Sequence, residues 1–256
     1  RLNSNLLLDL NSAKIALRTG QMGGQAQIEY YNWYYFPLLN AGSDNSIVKN
    51  INPIKADFIS SIDPVMSDSD VQKIPLLKTS NYTNISSTPA YITLGMLRQK
   101  PDQRMFAKKS QNVAYLLKGE FESLYGNRMT SGITESKEIG YKASSEPTSR
   151  IVVADGDIIR NQFHIPKGYP LPLGFDQYTQ ITYGNKEFIE NAISYLVDGE
   201  GLIEVRSREL KIRLLDMNKV NNDALLWQVV NVVLPSVVMV VFGFILAFIR
   251  KRKFAK

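Results

Sequence analysis

Residues 225–249 form a run of 25 residues without a formal charge, and Arg250, Lys251, Arg252 and Lys253 follow at once. At ~1.5 Å of rise per residue, a helix of that length crosses a hydrocarbon core of about 30 Å with a little tilt to spare. A helix in a soluble core is rarely so long and so free of charge, and a removable signal peptide has a shorter apolar core and sits at an N-terminus. The reading is one transmembrane helix over 224–250 and a basic tail over 251–256. Short flanks rich in Lys and Arg stay on the cytoplasmic side. Everything before Ala224 is therefore expected outside the cytoplasm.

The formal charge of +6 suggests nucleic acid until it is located. Arg250, Lys251, Arg252, Lys253 and Lys256 are five of the 30 cations, and the 25 that remain face 24 carboxylates. The basic character thus belongs to membrane topology and inner-leaflet lipid, not to a phosphate-binding groove. With no cysteine and the single histidine His164, thiol nucleophiles, disulfide frameworks and Cys/His zinc sites are excluded. The chain opens at Arg1-Leu2-Asn3, without an initiator Met or an export signal. A translocated domain needs such a signal, so the expectation is a C-terminal portion of a longer polypeptide.

About 200 residues precede the anchor, enough for one domain with a core. Short apolar or β-branched runs recur, each ended by turn residues, with helix-like stretches between several of them. The strands expected are 56–59, 73–79, 90–94, 112–117 and 150–154. The last is apolar throughout, as in a central strand covered on both faces. Asp155-Gly156-Asp157 then turns into a helix start, and Asn185 is placed as the N-cap of a helix with Phe188, Ile189, Ala192, Ile193 and Leu196 on one face. The stretches 126–149 and 167–184 read as loops. This is an alternating α/β pattern, an extracytoplasmic domain over 1–201 with a juxtamembrane segment over 202–223.

Several segments occur in order: Tyr34-Tyr35-Phe36-Pro37-Leu38, Asn52-Pro53-Ile54-Lys55-Ala56-Asp57-Phe58-Ile59-Ser60-Ser61-Ile62-Asp63, Leu76-Leu77-Lys78-Thr79-Ser80, Asp155-Gly156-Asp157 and Gly184-Asn185-Lys186-Glu187-Phe188. Together they resemble the auxiliary, extracytoplasmic component of a group of bacterial ABC transporters. The juxtamembrane run from Ile203 to Asp216 and Asn231-Val232-Val233-Leu234-Pro235 in the anchor narrow the resemblance to the GldG family, gliding-motility-associated proteins of Bacteroidota. It extends over essentially the whole chain and corresponds to about the C-terminal half of the family's length. The resemblance implies a flavodoxin-like or amidotransferase-like α/β ectodomain in the periplasm, anchored in the inner membrane. It also implies a permease and a cytoplasmic ATPase as partners, and a link to gliding and type IX secretion.

Among candidate sites, Asp155, Asp157 and Asn161 supply oxygen ligands of the kind that hard cations take. A turn and a helix cap, with Asp157 accepting from first-turn amides, is the favoured reading, and no metal, cofactor or catalytic residue is assigned. Tyr31, Trp33, Tyr34 and Tyr35 lie in a dense aromatic run that suits core packing, an interface or a ligand platform. His164 has no serine in an elbow motif to serve. Arg206, Arg208, Lys211 and Arg213 alternate with acids just outside the membrane, as a solvated face or as docking to a partner. In the anchor, with about 100° per residue and Gln228 at zero, Asn231, Pro235, Met239, Gly243 and Ser236 fall between about −60° and 80°. Small and polar residues usually face protein in a membrane, so this stripe is expected against a permease helix or a second copy of the anchor. The favoured function is a non-enzymatic accessory subunit of a transporter. The alternative is a receptor domain for a periplasmic solute or envelope glycan, and an amidotransferase-like enzyme comes last because its usual Cys is absent.

Overall fold

The computed structural model describes residues 1–22, 24–65, 70–98, 101–126, 128–197 and 224–254. The chain divides into two compact units, Arg1–Glu209 and Leu210–Lys256. The first carries β1 (Asn5–Asp9), β2 (Ser12–Met22), β3 (Gln25–Ala41), β4 (Ile54–Lys55), β5 (Gln72–Lys78), β6 (Thr83–Ser87), β7 (Asn112–Gly119) and β8 (Thr148–Val153). Among the described residues its α-helices are the single turn α1 (Ser131–Thr134) and the longer α2 (Asn185–Val197). A curled sheet in the order β2-β3-β5-β7-β8, with β4 paired to β3, is the frame, and β1 pairs with β6 beside it. Every pairing between these strands is antiparallel.

The unit is therefore mixed α/β, but the parallel, doubly wound sheet of a flavodoxin-like or amidotransferase-like domain is not what these residues form. The expected strand at 150–154 exists as β8, yet it ends the sheet order and its burial alternates. Its apolar run reflects one packed face and one free face rather than a central position. Residues 112–117 and 73–79 are strands as expected, in β7 and β5. Residues 90–94 are not, because a 3₁₀ turn over Leu94–Arg98 takes up the end of that run.

Residues 52–63 form no continuous ladder, and the strand expected at 56–59 is broken by a bend at Asp57-Phe58, where Phe58 has φ +57°. The pairing of Ile54 and Lys55 with Leu39 and Leu38 stops at β4, and the following donors scatter. Ala56 and Phe58 N–H donate to Pro37 and Tyr35 carbonyls at 3.2 and 3.0 Å, while Ile59 C=O accepts from Leu7 N–H at 3.0 Å. Ile62 N–H reaches Asn112 C=O at 2.8 Å. The segment is thus a strap that ties β3, β1 and β7 together, with Ile54, Ala56 and Ile59 buried beneath it. A backbone whose donors find acceptors on several elements is as well satisfied as one in a sheet.

Two cores result. The larger gathers Leu7, Leu39, Ile54, Leu76, Leu116 and Phe188, and the smaller holds Leu6, Leu8, Trp33, Tyr35 and Phe106. Because successive strand residues point to opposite faces, Leu7 serves one core and its neighbours Leu6 and Leu8 the other. Buried Asp9, at the end of β1, accepts from the Ser80 N–H at 2.7 Å, the Ser80 hydroxyl at 2.6 Å and the Asn11 N–H at 2.8 Å. Burial nevertheless raises its pKa above the ordinary value. On α2, Phe188 and Ala192 are buried and Ile189 packs against the core, but Ile193 and Leu196 are exposed. The buried face is narrower than the periodicity implies.

In the second unit, α3 (Ala224–Phe254) is one continuous helix with Pro235 inside it. Its stretch Gln228–Arg252 is long and apolar enough to cross a membrane. The juxtamembrane residues Arg206, Arg208, Lys211 and Arg213 lie outside the described residues.

Candidate functional site

Four of the segments that carry the resemblance meet at one place, where the strap passes the end of β8 and the start of α2. Asp155 closes the turn after β8: one carboxylate oxygen accepts from Asp157 N–H at 2.8 Å and the other from Asp57 N–H on the strap at 3.0 Å. It is Asp155, not Asp157, that caps this turn. Burial raises the Asp155 pKa despite those two bonds, and the nearby Asp157 and Asp57 charges push the same way. Asp57 pairs with Lys55 at 3.3 Å and with Arg160 at 3.1 Å, and Arg160 also reaches Asp157 at 3.2 Å. Lys55 lies 4.6 Å from the centre of the Phe36 ring.

Asn185 locks this junction to α2. Its side-chain oxygen accepts from Lys55 N–H at 3.1 Å, and its amide donates to Lys55 C=O at 2.8 Å and Ile158 C=O at 3.0 Å. It is a stitch between strap and β8 turn, not the N-cap expected from its position. Gly184 precedes it for a steric reason. Its N–H donates to Pro53 C=O at 3.0 Å, and a Cβ there would collide with the Asn52 carbonyl oxygen.

The junction encloses only about 40 Å³, room for a water molecule or so. Lys55, Gln162 and Asp176 border both this space and a wider cleft of about 370 Å³. The far wall of that cleft is the β2–β3 hairpin. Met22 pairs with Gln25 across Gly23-Gly24, and Gly24 has φ +83°, the conformation that a two-residue hairpin connection demands. Lys14, Arg18 and Ile28 from the hairpin, with Phe36 and Tyr178, line the space. Asp176 is buried, its carboxylate accepting from Tyr178 N–H at 3.0 Å and the Thr179 hydroxyl at 2.8 Å.

Of the aromatics singled out in the sequence, Trp33 and Tyr35 are buried in the smaller core, their rings 5.3 Å apart. Tyr34 packs edge-on against Phe106 at 5.5 Å, and the Tyr31 hydroxyl donates to Glu29. The cleft uses Phe36 and Tyr178 instead. Asn161, considered with Asp155 as a cation ligand, donates to Leu171 C=O at 2.6 Å, so these groups do not converge. Among the described residues no cluster of three or more His, Asp or Glu is placed to hold a metal ion. His164 accepts from Lys167 N–H at 3.3 Å and stacks on Tyr169. Gln228, Asn231, Pro235, Ser236, Met239 and Gly243 all lie on the unbroken α3, where the Ser236 hydroxyl donates to Val232 C=O at 2.8 Å. Lys14, Arg18, Arg160, Gln162 and Asp176 escaped the sequence reading, since nothing in their spacing joins a hairpin to a loop 150 residues away.

The globular unit thus sets a polar junction satisfied within itself beside a mixed polar and apolar cleft, and among the described residues one helix is long and apolar enough to span a membrane. The chain belongs to the ABC_transp_aux family, the auxiliary component of an ABC-type uncharacterized transport system, whose family model matches residues 1–192. No curated protein and no solved structure matches it.

Proposed function

We propose that this chain is a non-enzymatic, membrane-anchored extracytoplasmic subunit of a gliding-motility-associated ABC transporter complex, linked to gliding and type IX secretion. Its globular unit lies in the periplasm and its C-terminus in the cytoplasm of a bacterial inner membrane, with a permease and a cytoplasmic ATPase as partners. The observation that carries this reading is the auxiliary-family match over residues 1–192 in a chain that also holds the apolar helix Gln228–Arg252. The ordered segments of the strap, the Asp155 turn and the Gly184-Asn185 stitch support the narrower assignment.

The anchor is more than a tether in this reading. Pro235 has no N–H, so the Asn231 carbonyl four residues earlier loses its helical donor, on the same stripe as the Asn231 side-chain amide. An amide group without partners in hydrocarbon costs on the order of a few kcal/mol. Ser236 satisfies its hydroxyl within α3, so the demand for a partner falls on Asn231. Gly243 on that stripe allows close approach of a permease helix or a second copy of the anchor.

Affinity purification of the detergent-solubilised full-length protein should recover an ABC permease and its ATPase. Recovery of neither sinks the subunit reading. Asn231→Leu with Gly243→Leu should weaken that recovery, and Val237→Leu, about 180° from Gln228, should not. Equal recovery from both variants rejects the interface.

A further inference from the structure

We propose that the cleft beneath the β2–β3 hairpin binds a small amphipathic organic anion, an apolar body carrying one carboxylate, sulfonate or phosphate head. This goes beyond the subunit reading and does not rest on it. The space of about 370 Å³ falls in the range of small-molecule sites and suits a ligand of one or two rings.

The charge offered to a ligand is positive. Among the described residues three cations, Lys14, Arg18 and Lys55, line the cleft with one carboxylate, Asp176. Both Asp176 oxygens are taken by Tyr178 N–H and the Thr179 hydroxyl, and the residue is 3% exposed. Lys55 is engaged by Asp57. Lys14 and Arg18 are exposed and form no ion pair among the described residues. They share one face of β2, since their positions differ by an even number. Glu29, the carboxylate on the facing strand, pairs with Leu17 in the register and so belongs to the other face, where it accepts from the Tyr31 hydroxyl.

The apolar half of the site is equally defined. Ile28 is opposite Arg18 in the register and 52% exposed, and Phe36 and Tyr178 also line the cleft. A two-stranded ribbon by itself is marginally stable in water. A ligand that bridges Ile28 and Arg18 on the ribbon to Tyr178 and Gln162 on the body of the unit gives it a second point of support.

The test is calorimetric titration of the full-length protein in detergent micelles with 2-naphthoate, using 2-naphthamide as the neutral isostere and empty micelles as the blank. The expected result is saturable one-to-one binding of naphthoate, at least tenfold tighter than naphthamide and weakened severalfold between about 50 and 500 mM salt, as an exposed ion pair requires. Lys14→Gln with Arg18→Gln, and separately Ile28→Asp, should each weaken it at least tenfold. Val152→Asp, in the separate apolar groove lined by Tyr115, Leu117 and Phe121, should leave it unchanged. Binding no greater than the blank, equal affinity in the Lys14/Arg18 variant, or loss in the Val152 variant overturns the proposal. The charge substitutions are at exposed positions, and an unchanged melting temperature shows that a loss of binding is not a loss of fold.

Discussion

Asn185→Ala removes the stitch between the strap, the β8 turn and α2, and its cost follows from the bonds it deletes. Three backbone groups lose a partner: Lys55 N–H, Lys55 C=O and Ile158 C=O. The site is 5% exposed, so solvent does not readily replace the amide. At about 1 kcal/mol for each net hydrogen bond, the loss is about 3 kcal/mol, and it grows if a carbonyl stays unsatisfied. For a unit of this size, 1 kcal/mol shifts the melting temperature by about 2–4 °C, so the expected fall is about 6–12 °C. Thermal unfolding of the detergent-solubilised protein, followed by far-UV circular dichroism, measures it. Asn185→Asp sharpens the test. At pH 7 it sets a carboxylate against two carbonyl oxygens and should melt below Asn185→Ala. Burial and those carbonyls raise its folded pKa, so its stability is present below the ordinary carboxylate pKa and lost as the pH rises through the raised value. A fall of less than about 2 °C for Asn185→Ala, or an Asn185→Asp protein that melts like the parent at pH 7, would refute the stitch.

Gly184→Ala should destabilise by about 1–3 kcal/mol through collision with the Asn52 carbonyl, a cost that chemical denaturation reads directly. Asp155 has a pKa raised from 3.8 by burial, so its contribution to stability is full below that value and lost as the pH rises through the folded one. The melting temperature of Asp155→Asn relative to the parent should therefore climb as the pH rises from about 4, and a flat difference would contradict the assignment. Protease treatment of spheroplasts should digest the globular unit and spare a tag after Lys256; protection of the globular unit reverses the topology.

The apolar length of 225–249 sufficed to mark a helix long and apolar enough to span a membrane, because the length rule that a bilayer imposes acts along the chain. The strands β5, β7 and β8 were legible for a similar local reason: β-branched and apolar residues bounded by turns. Their direction was not. Whether β8 runs parallel or antiparallel to β7, and whether it lies inside the sheet or at its end, is set by what covers each face, and β1, the strap and α2 come from distant parts of the sequence. The aromatic run 30–36 shows the limit most plainly. Its composition permitted a ligand platform, but the alternation along β3 sends Trp33 and Tyr35 into a core with Leu6, Leu8 and Phe106, and leaves Phe36 beside Lys55. Asn185 looked like a cap because capping is a local pattern, while its partners Lys55 and Ile158 are 130 and 27 residues away. The cleft is the extreme case: Lys14 and Arg18 meet Gln162, Asp176 and Tyr178 only because a hairpin folds back over a loop. Periodicity and composition report what each segment can bury; which segment it is buried against is a property of closure in three dimensions.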